Sequence, residues 1–103
     1  MDTTKRFFIK YAVRKRCEWC NKNFPIESLE IHHINSNKHD DRESNIIVLD
    51  ANHHRSTLRH ITKDKRITQK QLRSKVKTRP NYLRKGIRDI LRYGYPKLYE
   101  DIV

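Results

Sequence analysis

Long hydrophobic runs are missing from this sequence, and their absence excludes a membrane-spanning helix, which needs about 20 consecutive apolar residues. The N-terminal stretch also has no apolar segment of the kind a secretory signal carries. Together these absences predict a soluble, cytoplasmic protein. Cysteine is scarce, with only Cys17 and Cys20, spaced Cys-x-x-Cys. In a reducing compartment such a pair reads as metal binding or redox chemistry rather than as a stable disulfide. Apolar residues make up only 35% of the 103 residues, so the core is thin and of the kind that a bound metal often staples. No internal repeat and no linker long enough to divide the chain is present, so a single domain over 1–103 is expected, with 63–103 as its basic extension.

Acidic residues are few and unevenly placed. The formal net charge is +12, and residues 55–97 hold 15 of the 24 Lys and Arg against only Asp64 and Asp89. Six of the 12 acids instead fall within 27–50. A basic C-terminal half of this density exceeds what solubility needs and fits a polyphosphate partner, since neutralising phosphates releases their counterions. Double-stranded DNA is the expected partner. An anionic membrane competes for such charge, but no apolar segment is available to enter one.

Read for periodicity, the chain is α+β. Thr3 or Thr4 can cap a helix over about 4–15, with Phe7, Phe8, Tyr11 and Ala12 on one face, ended by Arg14-Lys15-Arg16. Residues 17–24 form a knuckle and Pro25 breaks any further helix. Leu29 to Ile34 is a first strand, 35–44 a polar loop, and Asn45 to Leu49 a second, β-branched strand. Asp50 can cap a helix of about 51–62 with His54, Leu58 and Ile61 inside. Thr68 can cap a short helix presenting Leu72 and Val76, and a last helix over about 80–93 carries Leu83, Ile87, Ile90 and Leu91 on one side and Arg84, Arg88 and Arg92 on the other. The two last helices loosely suggest a helix-turn-helix, although the turn Lys77-Thr78-Arg79 has no glycine. Tyr93, Tyr95 and Tyr99 either finish the small core or serve a homodimer contact.

Two sets of residues carry metal chemistry. The Cys17 and Cys20 thiolates can converge on one zinc ion at about 2.3 Å, and two more ligands are then required. Asp50 and His53 repeat the three-residue spacing and can supply them. His60 competes, but it lies seven residues past His53, about 10.5 Å further along a helix, so those two histidines do not share one ion. The second set is His32, His33 and His54. Neighbours in a strand point to opposite faces, so one of His32 and His33 can reach a cation while the other faces a substrate. A cation between His32 and His54 is then natural, and imidazole ligands suit Zn, Ni, Co or Mn better than Mg. His33, as a neutral imidazole, can take a proton from water near pH 7.

The order Cys-x-x-Cys, Leu29-Glu-Ile-His-His-Ile34, a polar loop, Asn45-Ile-Ile-Val-Leu49 and His53-His54 resembles the HNH endonucleases over about residues 17–60. His33, Asn45 and His54 match the three letters of the family name in order, with nine residues from Asn45 to His54. The resemblance implies a ββα-metal core, in which a two-stranded antiparallel hairpin and a helix clasp one divalent cation (Mg, Mn or Ni). It implies that His33 is the general base, that Asn45 steadies the loop and the base, and that His32 and His54 hold the cation, which stabilises the leaving 3′ oxygen and gives 5′-phosphate products. Many members carry a second CxxC pair around a structural zinc. Asp50 and His53 stand in its place here, a departure that bears on the zinc more than on the nuclease.

Arg55 and Arg59 are candidates for phosphate contact, and Lys70, Arg73, Arg84, Arg88 and Arg92 for backbone affinity. His39 and His60 lie outside the motif. Two other readings remain: a non-catalytic zinc-knuckle DNA-binding module, and an RNase on the same fold. A binding module has no need of a histidine beside a ligand histidine, nor of Asn45 at that spacing.

Overall fold

The computed structural model describes residues 1–58, 62 and 65–95. It is a small α+β fold with four helices around a two-stranded antiparallel sheet: α1 (Thr3–Ala12), β1 (Leu29–His33), β2 (Ile46–Asp50), α2 (Ala51–Arg55), α3 (Gln69–Lys77) and α4 (Asn81–Tyr93). Short 3₁₀ turns at Ile26–Ser28 and Glu43–Asn45 lead into the two strands. No helix among the described residues is long and apolar enough to cross a membrane.

The N-terminal helix starts one residue earlier than the threonines suggest, because Asp2 is its cap and accepts from the Lys5 amide at 2.8 Å. It ends earlier as well. Arg14 and Lys15 take left-handed backbone conformations, φ 60° and 55°, and turn the chain into the knuckle. The buried seam of α1 runs through Ile9, with Phe8 and Ala12 against the core. Phe7 and Tyr11, expected on that face, lie outside it and pack on each other with ring centroids 4.9 Å apart. The buried stripe is thus narrower by one flank than the spacing of apolar residues implies.

In the knuckle Cys17 and Lys22 are joined by an amide–carbonyl bond of 3.0 Å, and Arg16 bridges Asn23. The hairpin register pairs Leu29 with Asp50 and His33 with Ile46. Asn45 therefore sits one residue before β2, in the preceding turn, although its carbonyl still accepts from the Ile34 amide at 2.8 Å. Every residue of β2 is buried, because α2 and α3 pack against it while the knuckle lies along its edge, where the Glu18 amide donates to the Val48 carbonyl at 2.8 Å.

The helix after β2 is much shorter than expected and covers only Ala51–Arg55. Asp50 precedes it but makes no side-chain cap, since its carboxylate is turned to His53. Leu58, expected inside, is exposed. Ile61 and His60 lie outside the described residues, as do Arg59, Tyr99 and the rest of 96–103. Thr68 and Gln71 form the capping box of α3, whose inner residues Leu72 and Val76 are buried as the pattern predicts. Ile87 and Ile90 of α4 are buried against α1, and Gly94, at φ 88°, closes the helix by donating to the Ile90 carbonyl.

Arg79, read from the sequence only as part of a polar turn, is 5% exposed. Its guanidinium forms two parallel bonds to the Glu18 carboxylate, 2.7 and 2.6 Å, and donates to the Ile46 and Glu43 carbonyls at 2.7 and 3.0 Å. Planar, bidentate pairing is the geometry for which arginine is suited and lysine is not. Removing one member of such a pair strands a buried charge. Glu18→Gln is expected to lower unfolding free energy by about 3 kcal/mol in urea titrations, whereas Arg79→Met paired with Glu18→Leu is expected to cost much less.

Candidate functional site

The knuckle, the end of β2 and the start of α2 bring four ligand-type side chains together. One ligand atom each from Cys17, Cys20, Asp50 and His53 lies within 4.8 Å of the other three, so the cluster can hold a metal ion. His53 Nδ1 is 3.8 Å from Cys17 Sγ and 2.5 Å from an Asp50 oxygen. Burial pushes the Cys17 thiol up to about 11, and the Asp50 carboxylate adds to this. Burial by itself drives the Asp50 carboxyl up as well, but hydrogen bonds from Cys17 and His53 outweigh it and hold the group below the usual carboxylate range. All four of these donors are among the residues the sequence pattern points to. The three-residue spacing works because Asp50 is the last residue of a strand and His53 is one turn into the helix that follows it.

On the other side of α2, His54 reaches back to β1. Its ring meets His32 edge-on, with centroids 4.9 Å apart, and its Nδ1 contacts the Glu30 carboxylate. Glu30 and His32 are two apart on β1 and share a face, which is how both reach the same helix residue. Burial lowers the His32 pKa to about 4, with His54 and then His33 adding to the effect, so its imidazole is neutral at pH 7. His32 lines a pocket with Thr57, Ile67 and Leu72, whereas His33 opens onto a different groove that also reaches His54. The adjacent histidines thus face different ways, as strand alternation predicts.

His33 Nε2 lies 2.7 Å from an Asp41 oxygen. Asp41 sits on the loop between the strands, and Asn45 fastens that loop. The Asn45 amide group donates to the Asn35 side chain at 2.9 Å and to the Asp40 carbonyl at 2.8 Å, while its oxygen accepts from the Asn35 amide at 3.1 Å. Asn45 is buried, and these bonds use all of its polar capacity except one acceptor lone pair. Asp40, next in the loop, is held well below the usual carboxylate range by hydrogen bonds from Arg42 at 2.8 and 2.7 Å, with Asn35 adding a third at 2.9 Å. Asp41 and Glu30 do not stand out in the sequence, since only their position beside a histidine distinguishes them from other acids.

The basic candidates separate into kinds. Lys70, Arg73, Arg88 and Arg92 are exposed on α3 and α4, and Arg88 and Arg92 border a groove with Asp41 and Arg42. Arg55 is exposed and its guanidinium donates to the Asn52 side chain at 2.8 Å. Arg84 is half-buried and donates to the Lys77 carbonyl, so it also closes the end of α3. Tyr93 is exposed and Tyr95 half-buried at the end of the described chain.

With its proton held up to about 11, the Cys17 thiol must give that proton up when a cation binds. Metal affinity is therefore expected to rise with pH between 6 and 8, by about tenfold per pH unit for each proton displaced. Competition titrations against a chromophoric chelator measure this, and Cys17→Ser is expected to lower the affinity and to reduce the slope by about one proton, leaving the share that Cys20 contributes. No protein-family model, no curated protein and no solved structure matches this chain, so a functional reading has to rest on the geometry of these residues.

Proposed function

We propose that the protein is a metal-dependent endonuclease of the HNH type that hydrolyses phosphodiester bonds in DNA. The observation that carries this reading is the arrangement around β1. His33 is held by an acid on a loop locked by Asn45, and one strand position away His32 meets His54. A histidine oriented through its far nitrogen beside a pair of ligand-type histidines suits general-base hydrolysis.

The residues divide the work as follows. Asp41 accepts from His33 Nε2, which fixes the tautomer with the proton on Nε2 and leaves Nδ1 as the acceptor. Nδ1 takes a proton from a water molecule, the water oxygen forms a bond to phosphorus, the P–O3′ bond breaks, and the leaving 3′ oxygen takes a proton from solvent water. The products are a 5′-phosphate and a 3′-hydroxyl. His32 and His54 would hold the divalent cation, and a neutral His32 offers its lone pair without first losing a proton. A Mg, Mn or Ni ion in that position supplies electrophilic stabilisation of the scissile phosphate and the leaving oxygen. Asn45 acts at one remove, because it holds the loop that holds Asp41. The exposed cations of α3 and α4 provide backbone affinity for double-stranded DNA without specifying a sequence.

The second cluster is assigned to structural zinc. Two thiolates with one imidazole and one carboxylate form a four-donor set that suits a closed tetrahedral site, and thiolates favour zinc over Mg or Ca. One observation favours a different reading, a non-catalytic zinc-knuckle module that only binds DNA. Among the described residues, the cluster around Cys17 is the one group of three or more such side chains whose ligand atoms converge closely.

A supercoiled-plasmid assay separates the two readings. Cleavage is expected with Mg, Mn or Ni and none with EDTA, and His33→Ala is expected to abolish cutting while DNA binding persists. Salt-sensitive binding with no cutting under any metal would establish the binding module instead. In the nuclease, Asp41→Asn is expected to lower kcat by roughly a hundredfold or more, with metal affinity unchanged, because the base loses the partner that fixes its tautomer.

A further inference from the structure

The N-terminal helix lies outside every residue assigned above, yet it forms one wall of the groove onto which His33 opens. This groove, of about 420 Å³, is lined by Arg6 and Lys10 of α1, by Lys38 and His39 of the interstrand loop, and by Glu30, His33 and His54. Arg6 and Lys10 stand four apart, so they occupy one face of the helix a turn from each other. Among the described residues, the side chains of Arg6, Lys10 and Lys38 form no hydrogen bond or ion pair. Ion pairs elsewhere in the fold bind cations tightly, as at Arg42 and Arg79. Lys10 is held below its ordinary pKa by burial and then by the neighbouring Arg6 charge, with the Glu30 carboxylate a smaller opposing influence, so the two cations act on each other across the groove wall.

We infer that this groove is an anion track in which Arg6, Lys10 and Lys38 hold successive phosphates of one DNA strand across His33. The ligand class follows from the shape and the charge. Three cations spread along an open groove from helix to loop fit a linear polyanion better than a single phosphate monoester, which a compact nest of donors would hold. Glu30 offsets the track only in part: its carboxylate also contacts His54, its pull on Lys10 is smaller than the push from Arg6, and it is the one acid in the groove lining against three cations. The inference rests on the nuclease reading for its orientation across His33, but its test is a binding measurement that needs no cleavage.

The test is the salt dependence of binding to a fluorescein-labelled 20-base-pair duplex, followed by anisotropy in EDTA-free buffer with Ca as the only divalent ion. The triple variant Arg6→Gln/Lys10→Gln/Lys38→Gln is compared with wild type and with Lys15→Gln/Lys22→Gln/Lys65→Gln, which removes the same charge at exposed positions that lie outside α3 and α4 and do not line the groove. The groove variant is expected to lower the slope of log K against log salt by about 2 to 3, or close to 0.9 for each phosphate no longer neutralised, and the control variant to leave it near the wild-type value. An equal decrease in both variants, or none in the groove variant, would overturn the track. Lys38→Gln alone, in an exposed loop, is expected to lower the slope by about 1, and keeps the test valid if the helix substitutions unfold the protein. The charge-retaining pair Arg6→Lys/Lys10→Arg is expected to preserve the slope, and a lowered slope in that pair would overturn an electrostatic role. A wild-type protein that shows the groove-specific slope but never cuts plasmid would remove the nuclease reading and leave the track standing. A protein that cuts plasmid and shows no groove-specific slope would do the reverse.

Discussion

The buried pair of Arg79 and Glu18 is the contact on which the rest of the arrangement depends. Glu18 lies inside the Cys-x-x-Cys, and its amide and carboxylate both engage Val48, so the knuckle is held edge-on to β2. Arg79 joins the turn between α3 and α4 to that same carboxylate and to the carbonyls of Glu43 and Ile46. One guanidinium thus fixes three things relative to one another: the cysteine knuckle, the turn that carries Asn45, and the basic C-terminal helices. A hydrophobic contact could bring the same pieces together but would not set their register, because it has no direction. The metal-type cluster inherits that register, since two of its donors are on the knuckle, one ends β2 and one follows it in α2.

From Asn45 the constraint passes to the face bearing His33. Asn45 is buried and nearly saturated, and each of its partners belongs to the loop that follows β1. That loop would otherwise be ten polar residues with little to bury. Its anchoring at Asn35 and Asp40 delivers Asp41 to His33. In the proposed reaction this makes the asparagine a structural residue whose loss acts through the base's partner, and it explains why a residue outside β2 matters to chemistry on β1.

Much of this was legible because it depended on local pattern. The hairpin was visible from two apolar runs either side of a polar segment, the start of α3 from Thr68, and the packed face of α4 from Ile87 and Ile90 at helical spacing. The four-donor cluster was also legible, since two three-residue spacings flank the hairpin. What could not be read were pairings across long separations of sequence. Nothing near Arg79 distinguishes it from the other basic residues of 55–97, and its partner is 61 residues away. Asp41 and Glu30 have the same character, acids whose role exists only once a histidine eight or 24 residues distant has been placed beside them. The α1 stripe and the length of α2 failed for a related reason. Amphipathic spacing says that a helix has an inner face, but the neighbours decide where that face ends, and here Phe7, Tyr11 and Leu58 were left in solvent.

The placing of the acids accounts for how a domain with a net charge of +12 can keep a region rich in carboxylates at its centre. Glu18 and Glu43 face Arg79, Asp40 faces Arg42, Asp41 faces His33, Asp50 faces His53 and Glu30 faces His54. The carboxylates of Glu18, Glu43 and Asp40 are directed at guanidinium groups that offset their charge within a few ångströms, whereas those of Asp41, Asp50 and Glu30 orient imidazoles. The exposed lysines and arginines lie further out and set the potential that an approaching polyanion meets. The same acids, left free, would repel phosphate from the groove beside His33. Pairing them with histidines and arginines instead orients the side chains of both candidate metal centres and leaves the surface positive. On this account the orienting role of the acids and the proposed affinity for a phosphate backbone are one electrostatic arrangement. A neutral side chain in place of any of these carboxylates would therefore disturb the geometry of its histidine or arginine before it changed the proposed attraction for DNA.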